Sequence, residues 1–148
     1  KFARLDCPAD CIEFSPNGAY LAIDTKMVKS QYSMHPVLQS KGEKRLKIAI
    51  SEIKFNKDST VLAVGGHDQM IFLYSADKNF KPLRKLKGHS STILHIDFSM
   101  DGTIIKSVCQ AYEILFFSIN SSKNIGSGAS DNKDEIWFTN TARLGWHQ

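Results

Sequence analysis

Residues 51–64 read SEIKFNKDSTVLAV, and the spacing of their apolar side chains decides the fold. Ile53 and Phe55 alternate with polar neighbours, a polar break runs from Asn56 to Thr60, and a second apolar run begins at Val61. Alternation of period two marks a β-strand with one buried face, and two such runs joined by a short polar break form a hairpin. The pattern occurs twice more, as CIEFSPNGAYLAI at 11–23 and as LHIDFSMDGTII at 94–105. Each copy places Ile, one residue, then Phe: Ile12 and Phe14, Ile53 and Phe55, Ile96 and Phe98. Pro16-Asn17-Gly18, Lys57-Asp58-Ser59 and Met100-Asp101-Gly102 supply the reversals, with residue types that tolerate the backbone angles of a tight turn. The anchor phenylalanines recur at roughly 40–45 residues, the length of a four-stranded propeller blade.

Outward from the middle hairpin, the strands of that unit are expected at Ile50–Phe55, Val61–Val64 and Met70–Ser75, with a more polar outer strand near Leu83–Leu86. Gly65-Gly66-His67-Asp68 turns the second strand into the third. The following unit reads Ile93–Phe98, Thr103–Val108 and Glu113–Ile119. Residues 120–134, rich in Ser, Asn, Gly and Lys, read as a flexible loop holding at most a short outer strand.

The chain is therefore expected to be all-β, part of one β-propeller domain over 1–148 with about three four-stranded antiparallel blades. Blade 1 spans about 8–49 and is degenerate, because 26–45 loses the pattern and Pro36 is tolerated only at an edge or in a loop. Residues 39–47 alternatively read as disordered. Blade 2 spans about 50–87 and blade 3 about 88–134, and a further blade begins at Glu135-Ile136-Trp137-Phe138. Three blades do not close a ring of 4–8, so the remaining blades are expected from the rest of a longer chain, a reading in keeping with Lys1 at the start of the sequence. Trp137 and Trp146 are expected at the face where the next blade packs, and the isolated piece is expected to be poorly soluble.

A length of 148 residues and 42% hydrophobic content fit one folded domain, and no apolar run approaches the roughly 18 residues of a membrane helix, so no membrane partner is expected. Cys7, Cys11 and Cys109 are odd in number and suit a reduced intracellular protein. Cys7 and Cys11 lack a second Cys or His pair at zinc-ligand spacing, so no metal is expected there. The net charge is +4, with one basic cluster at Lys41, Lys44, Arg45 and Lys47 and another at Lys81, Arg84, Lys85 and Lys87. Both favour an acidic partner; a solvated outer strand is the plainer account of the second. Nucleic acid is disfavoured, since no surface aromatics interleave the cations and no helical recognition pattern accompanies them.

Candidate chemistry is sparse. Ser90, Ser91 and His89 with nearby aspartates suggest a hydrolase triad, but no nucleophile elbow frames them. His67 and Asp68 share a tight turn, where an Asp accepting backbone hydrogen bonds explains them without a metal. Gly65-Gly66 lacks the downstream Lys-Ser or Lys-Thr of a phosphate loop. No cofactor, catalytic residue or small-molecule substrate is expected.

The stretch LKGHSSTILHIDFSMDGT resembles a WD repeat, with Gly88 and His89 as its Gly-His dipeptide. The resemblance implies a structural network in which the His bonds a turn Asp and a strand Ser or Thr, coupled to a Trp. Here that network looks incomplete, with Ala111 at the turn position and Phe117 at the Trp position, while the middle unit has Asp68 but no upstream Gly-His. Packing is then expected to replace polar tethering. The segments ISEIKFNKDSTVLAVGGHDQMIFLYS, GHSSTILHIDFSMDG, YEILFFSI and IWFTNTARLGW are similar to the echinoderm microtubule-associated-protein-like branch, from about Ile50 onward. That resemblance implies a non-catalytic protein-interaction scaffold, cytoplasmic and cytoskeletal, with tubulin or microtubules as its partner. A general adaptor subunit of a signalling, ubiquitin-ligase or trafficking complex is the alternative, and an enzyme or RNA-binding module built on blades ranks last.

Overall fold

The computed structural model describes residues 9–25, 49–126, 128–132 and 134–142. Its strands are β1 Ala9–Phe14, β2 Leu21–Thr25, β3 Ile50–Phe55, β4 Val61–Gly66, β5 Ile71–Ser75, β6 Lys81–Leu86, β7 Ile93–Phe98, β8 Ile104–Cys109 and β9 Ile114–Ser118. They form three antiparallel sheets in simple sequential order, β1-β2, β3-β4-β5-β6 and β7-β8-β9. Each sheet is one blade or part of one. One helical turn, α1 at Gly128–Asp131, follows the third sheet. Beyond β9, Asn124 bridges Phe117 and the Ile125 N–H donates to the Phe116 carbonyl at 2.7 Å, so a short outer ribbon stands in the place of a fourth strand. The expectations for the second half of blade 1, including Pro36 and the cluster Lys41 to Lys47, and those for Cys7 and Trp146, lie outside the described residues.

The first hairpins repeat down to their hydrogen bonds. In each, the residue after the first strand is buried and polar (Ser15, Asn56, Ser99) and its side chain accepts the N–H groups that reopen the second strand. The fourth turn residue has positive φ in all three: Gly18 at 69°, Ser59 at 60° and Gly102 at 71°. Glycine removes the Cβ penalty there, and the middle hairpin carries that strain on Ser59 instead. Ser59 Oγ also accepts the Asn17 N–H at 3.1 Å, joining neighbouring hairpins. A register shift recurs at Ala9/Cys11, Ile50/Glu52 and Ile93/His95, one bulge at the same place in each inner strand. A bulge adds local twist, and its threefold recurrence is how each inner strand takes the same course.

Two apolar clusters hold the blades together. Ile53, Phe55, Leu62, Val64, Phe72 and Tyr74 form the face of the second sheet that meets Ala22, Cys11 and Tyr20 of the first. The opposite face, with Ala63, Ile71, Leu73 and Leu86, packs on Ile93, Ile96, Phe98, Ile105 and Phe117 of the third. Gly65 permits the close approach, because a Cβ on it would stand 2.8 Å from Ile93 Cγ2. Phe55 and Phe98 are 1% and 0% exposed, whereas Phe14 at the matching position of the first sheet is 61% exposed and Ile12 is 53%. The outer face of that sheet therefore has no covering blade among the described residues.

Candidate functional site

The Gly-His dipeptide sits between β6 and β7. Gly88 has φ of 149°, a conformation open to glycine at no steric cost, and a Cβ on it would press within 3.3 Å of Leu115 Cδ1. The turn sends the His89 ring inward, where its Nε2 lies 2.7 Å from Ser107 Oγ on β8 and the ring centre 6.1 Å from that of Phe117. Ser107 Oγ also lies 3.4 Å from the Leu115 carbonyl. The Nδ1 of that imidazole faces Glu113 Oε2 at 3.7 Å without a hydrogen bond. Burial pushes the His89 pKa down, against an upward pull from Glu113. The Glu113 carboxylate is held below its usual range, chiefly by the Ser90 N–H at 2.9 Å and then by the Ser90 hydroxyl at 2.8 Å.

This arrangement corrects the expectation that packing replaces polar tethering in the third blade. Ala111 offers no carboxylate, but Glu113, two residues later, brings one to the same histidine. In the middle blade Val64 occupies the place of Ser107, and Asp68 lies exposed in the β4–β5 turn with its carboxylate against Gly66, a negative charge that adds to the raised pKa of buried Tyr74. Asp68 is thus not brought to a histidine among the described residues. His67 and Asp68 do not enter a group of metal ligands; the one such group of His, Cys, Asp and Glu found among the described residues is His89, Cys109 and Glu113.

The second candidate surface is β6, whose residues Lys81 to Lys85 are all exposed. Its pairing separates the cations. Arg84 lies opposite Leu73 and Lys81 opposite Ser75, on the face turned toward the third blade, while Lys85 lies opposite Phe72 on the other face with its Nζ 5.4 Å from the Phe72 ring centre. Lys87 follows the strand. The linear cluster is therefore two smaller patches.

Two charge arrays, one partly exposed and one buried, were missed in the sequence. On the inner strands Lys54 Nζ lies 3.4 Å from Glu13 and 3.6 Å from Glu52, and Glu52 lies 3.9 Å from His95 Nδ1. Burial pushes the Glu52 pKa up to about 7, with Lys54 opposing and Glu13 and Asp97 adding to the rise. An acid whose folded pKa is raised destabilises the fold as pH climbs from its ordinary value of 4.5 to about 7, because only the unfolded chain ionises freely. Glu52→Gln is accordingly expected to be neutral near pH 4.5 and stabilising above pH 7, by about 1–2 kcal/mol once solvent screening is allowed for. Urea midpoints of the full-length protein at the two pH values check it.

The second array is Asp97, fully buried on β7. Its carboxylate accepts Thr139 Oγ1 at 2.6 Å, the Thr141 N–H at 2.9 Å, Thr141 Oγ1 at 3.0 Å and the Ala142 N–H at 2.8 Å, with Lys106 Nζ at 3.6 Å. Trp137 lies against the same face, its ring centre 4.6 Å from Lys106 Nζ and 6.0 Å from that of Phe116. The chain after the third sheet is thereby latched onto that sheet's far face. Trp137 is half-buried on that far face.

At the seam of the second and third blades, an open cleft of about 360 Å³ is lined by Ser51, His67, Thr92, Leu94 and Gln110 with the ends of β3 and β7.

A sequence profile of the echinoderm microtubule-associated protein second beta-propeller matches residues 1–148. The chain belongs to that family. Echinoderm microtubule-associated protein-like 4 of Homo sapiens is 32% identical over 99% of this chain and 15% of its own length. The ciliary WD repeat-containing protein ctxp80 of Euplotoides octocarinatus is 44% identical over 62% of this chain and 13% of its own. This member of the microtubule-associated protein family thus spans a small part of its relatives. The solved WD40 repeats of RRP9 superpose with a TM-score of 0.69 over 83% of this chain and 39% of theirs, at 12% identity, and show a shared fold alone. The WD-repeat β-propeller architecture is thereby shown.

Proposed function

We propose that this chain is part of a non-catalytic propeller scaffold that holds its protein partners at microtubules, in the cytoplasm and on the cytoskeleton. The observation that carries the reading is the family match over the whole chain, together with relatives named as microtubule-associated and ciliary proteins. The exposed cations of β6 support it, since a positive outer edge suits an acidic partner such as tubulin. The rigid blades hold that edge, and no chemistry at the site is needed for a scaffold to work.

The full-length protein is expected to co-sediment with microtubules at low salt and to be released as salt rises, because exposed charges are screened within about 10 Å at 0.1 M salt. Neutralising Lys81 and Arg84 together is expected to weaken pelleting several-fold, and Lys85→Gln alone to change it little, because Lys85 lies on the other face. No pelleting at low salt would overturn the microtubule reading and favour a general adaptor.

A further inference from the structure

We propose that Ser90 is a phosphorylation site for a basophilic serine/threonine kinase, and that the phosphate opens the linker between β6 and β7. The approach to it reads Arg84-Lys85-Leu86-Lys87-Gly88-His89-Ser90, with cations three, five and six residues before the hydroxyl. A kinase with an acidic substrate groove selects its acceptor by such upstream charge. Arg84, Lys85, Lys87 and Ser90 are all exposed. The neighbouring Ser91 and Thr92 are half-buried and have Gly88 and His89 three residues upstream. Thr60 is also exposed with Lys57 three residues before it, but Asp58 intervenes and the tight β3–β4 turn holds it.

Few bonds hold the linker. Residues 87–91 make no backbone-to-backbone hydrogen bond among the described residues. Ser90 instead gives its N–H to Glu113 Oε2 at 2.9 Å and its hydroxyl to Glu113 Oε1 at 2.8 Å. Glu113 lies in the turn between β8 and β9, so this two-bond clasp ties the linker to the far end of the hairpin. The clasp is exposed, unlike the buried His89–Ser107 contact beside it, and its opening uncovers little surface. The opened linker is an extended segment of the kind a kinase groove accepts.

Phosphorylation turns the clasp against itself. The kinase transfers the γ-phosphoryl group of ATP: the Ser90 Oγ–P bond forms, the Pγ–O bond to ADP breaks, and the hydroxyl proton passes to the kinase's catalytic carboxylate. Ser90 then has no O–H to donate and carries a charge of about −1.5 to −2 at pH 7. Glu113 is ionised as well, its carboxylate held below the usual range first by the Ser90 N–H and then by the hydroxyl. Two anions thus replace a donor and acceptor 2.8 Å apart, and the linker cannot reclose over Glu113. The released residues lead into β7, and Thr92, Ile93 and Leu94 line the cleft between the second and third blades. The phosphate therefore biases a two-state linker at a blade seam, whatever partner the propeller serves.

The experiment treats full-length protein with Mg²⁺-ATP and the catalytic subunit of cyclic-AMP-dependent protein kinase, a basophilic enzyme, and maps phosphate by peptide mass spectrometry. One phosphate is expected on Ser90 and none at that position in Ser90→Ala. The initial rate is expected to fall at least five-fold when Lys85→Gln and Lys87→Gln are combined. Amide exchange gives the second readout. The Ser90 N–H is expected to exchange at least ten-fold faster in the phosphorylated protein, and likewise in unphosphorylated Glu113→Ala, while the central strand β4 keeps its protection. No phosphate on Ser90, or phosphate on Ser91, Thr92 or Thr60 in its place, would overturn the site. Phosphate on Ser90 with unchanged exchange would overturn the opening.

Discussion

Replacing Asp97 by Ala in the full-length protein is expected to lower the stability of the propeller by about 3–5 kcal/mol, the cost of breaking a buried ion pair from one side. The carboxylate gathers four hydrogen bonds from Thr139, Thr141 and Ala142 and offsets Lys106. Without it, the Thr141 and Ala142 N–H groups lose their acceptor, and an ammonium whose pKa is already pushed down by burial loses the partner that holds it up. Urea unfolding gives the total. Amide exchange separates the parts, since Thr141 and Ala142 should lose protection before the β7 strand does. Adding Lys106→Met to Asp97→Ala should recover part of the loss, because the uncompensated charge is then gone. Full additivity of the two substitutions would sink the account.

Phe98→Ala is expected to cost a similar amount, about 3–5 kcal/mol, through lost burial and the cavity left behind. Phe98 is wholly buried between the second and third blades, and Phe55 is its counterpart between the first and second. Phe14 occupies the same position in the hairpin but is 61% exposed, so the contacts within this chain predict under about 1 kcal/mol for Phe14→Ala. Any larger loss in the full-length protein measures the contact Phe14 makes with a neighbour outside the described residues. Comparing urea midpoints of the two variants is therefore a direct reading of whether the outer face of the first blade is covered.

The strands were legible because each hairpin announces itself twice, by alternation and by turn chemistry. Ile53 and Phe55 read as a buried face, and they are one. The inner-strand bulges were not legible, since a register shift follows from backbone twist and has no residue type of its own. The tether at His89 was misjudged for a local reason: the carboxylate was sought at Ala111, and the turn delivers it from Glu113. Asp97 was missed because its partners lie 42 to 45 residues away and only the packed fold brings them to it. The cation cluster 81–87 is continuous along the sequence, but strand alternation sends its members to opposite faces. A linear run of charge says little about a surface until its strand is placed.

β6 is the free border of the only four-stranded sheet among the described residues, and such a border normally invites a foreign strand. Pro82 gives it one position with no N–H to offer, a register shift opposite Leu73 and Tyr74 spoils its straightness, and lysine and arginine line it. The edge is thus guarded against templated pairing and amyloid-like growth. A partner that meets the propeller along this border must do so through side chains, because strand addition to the backbone is closed to it.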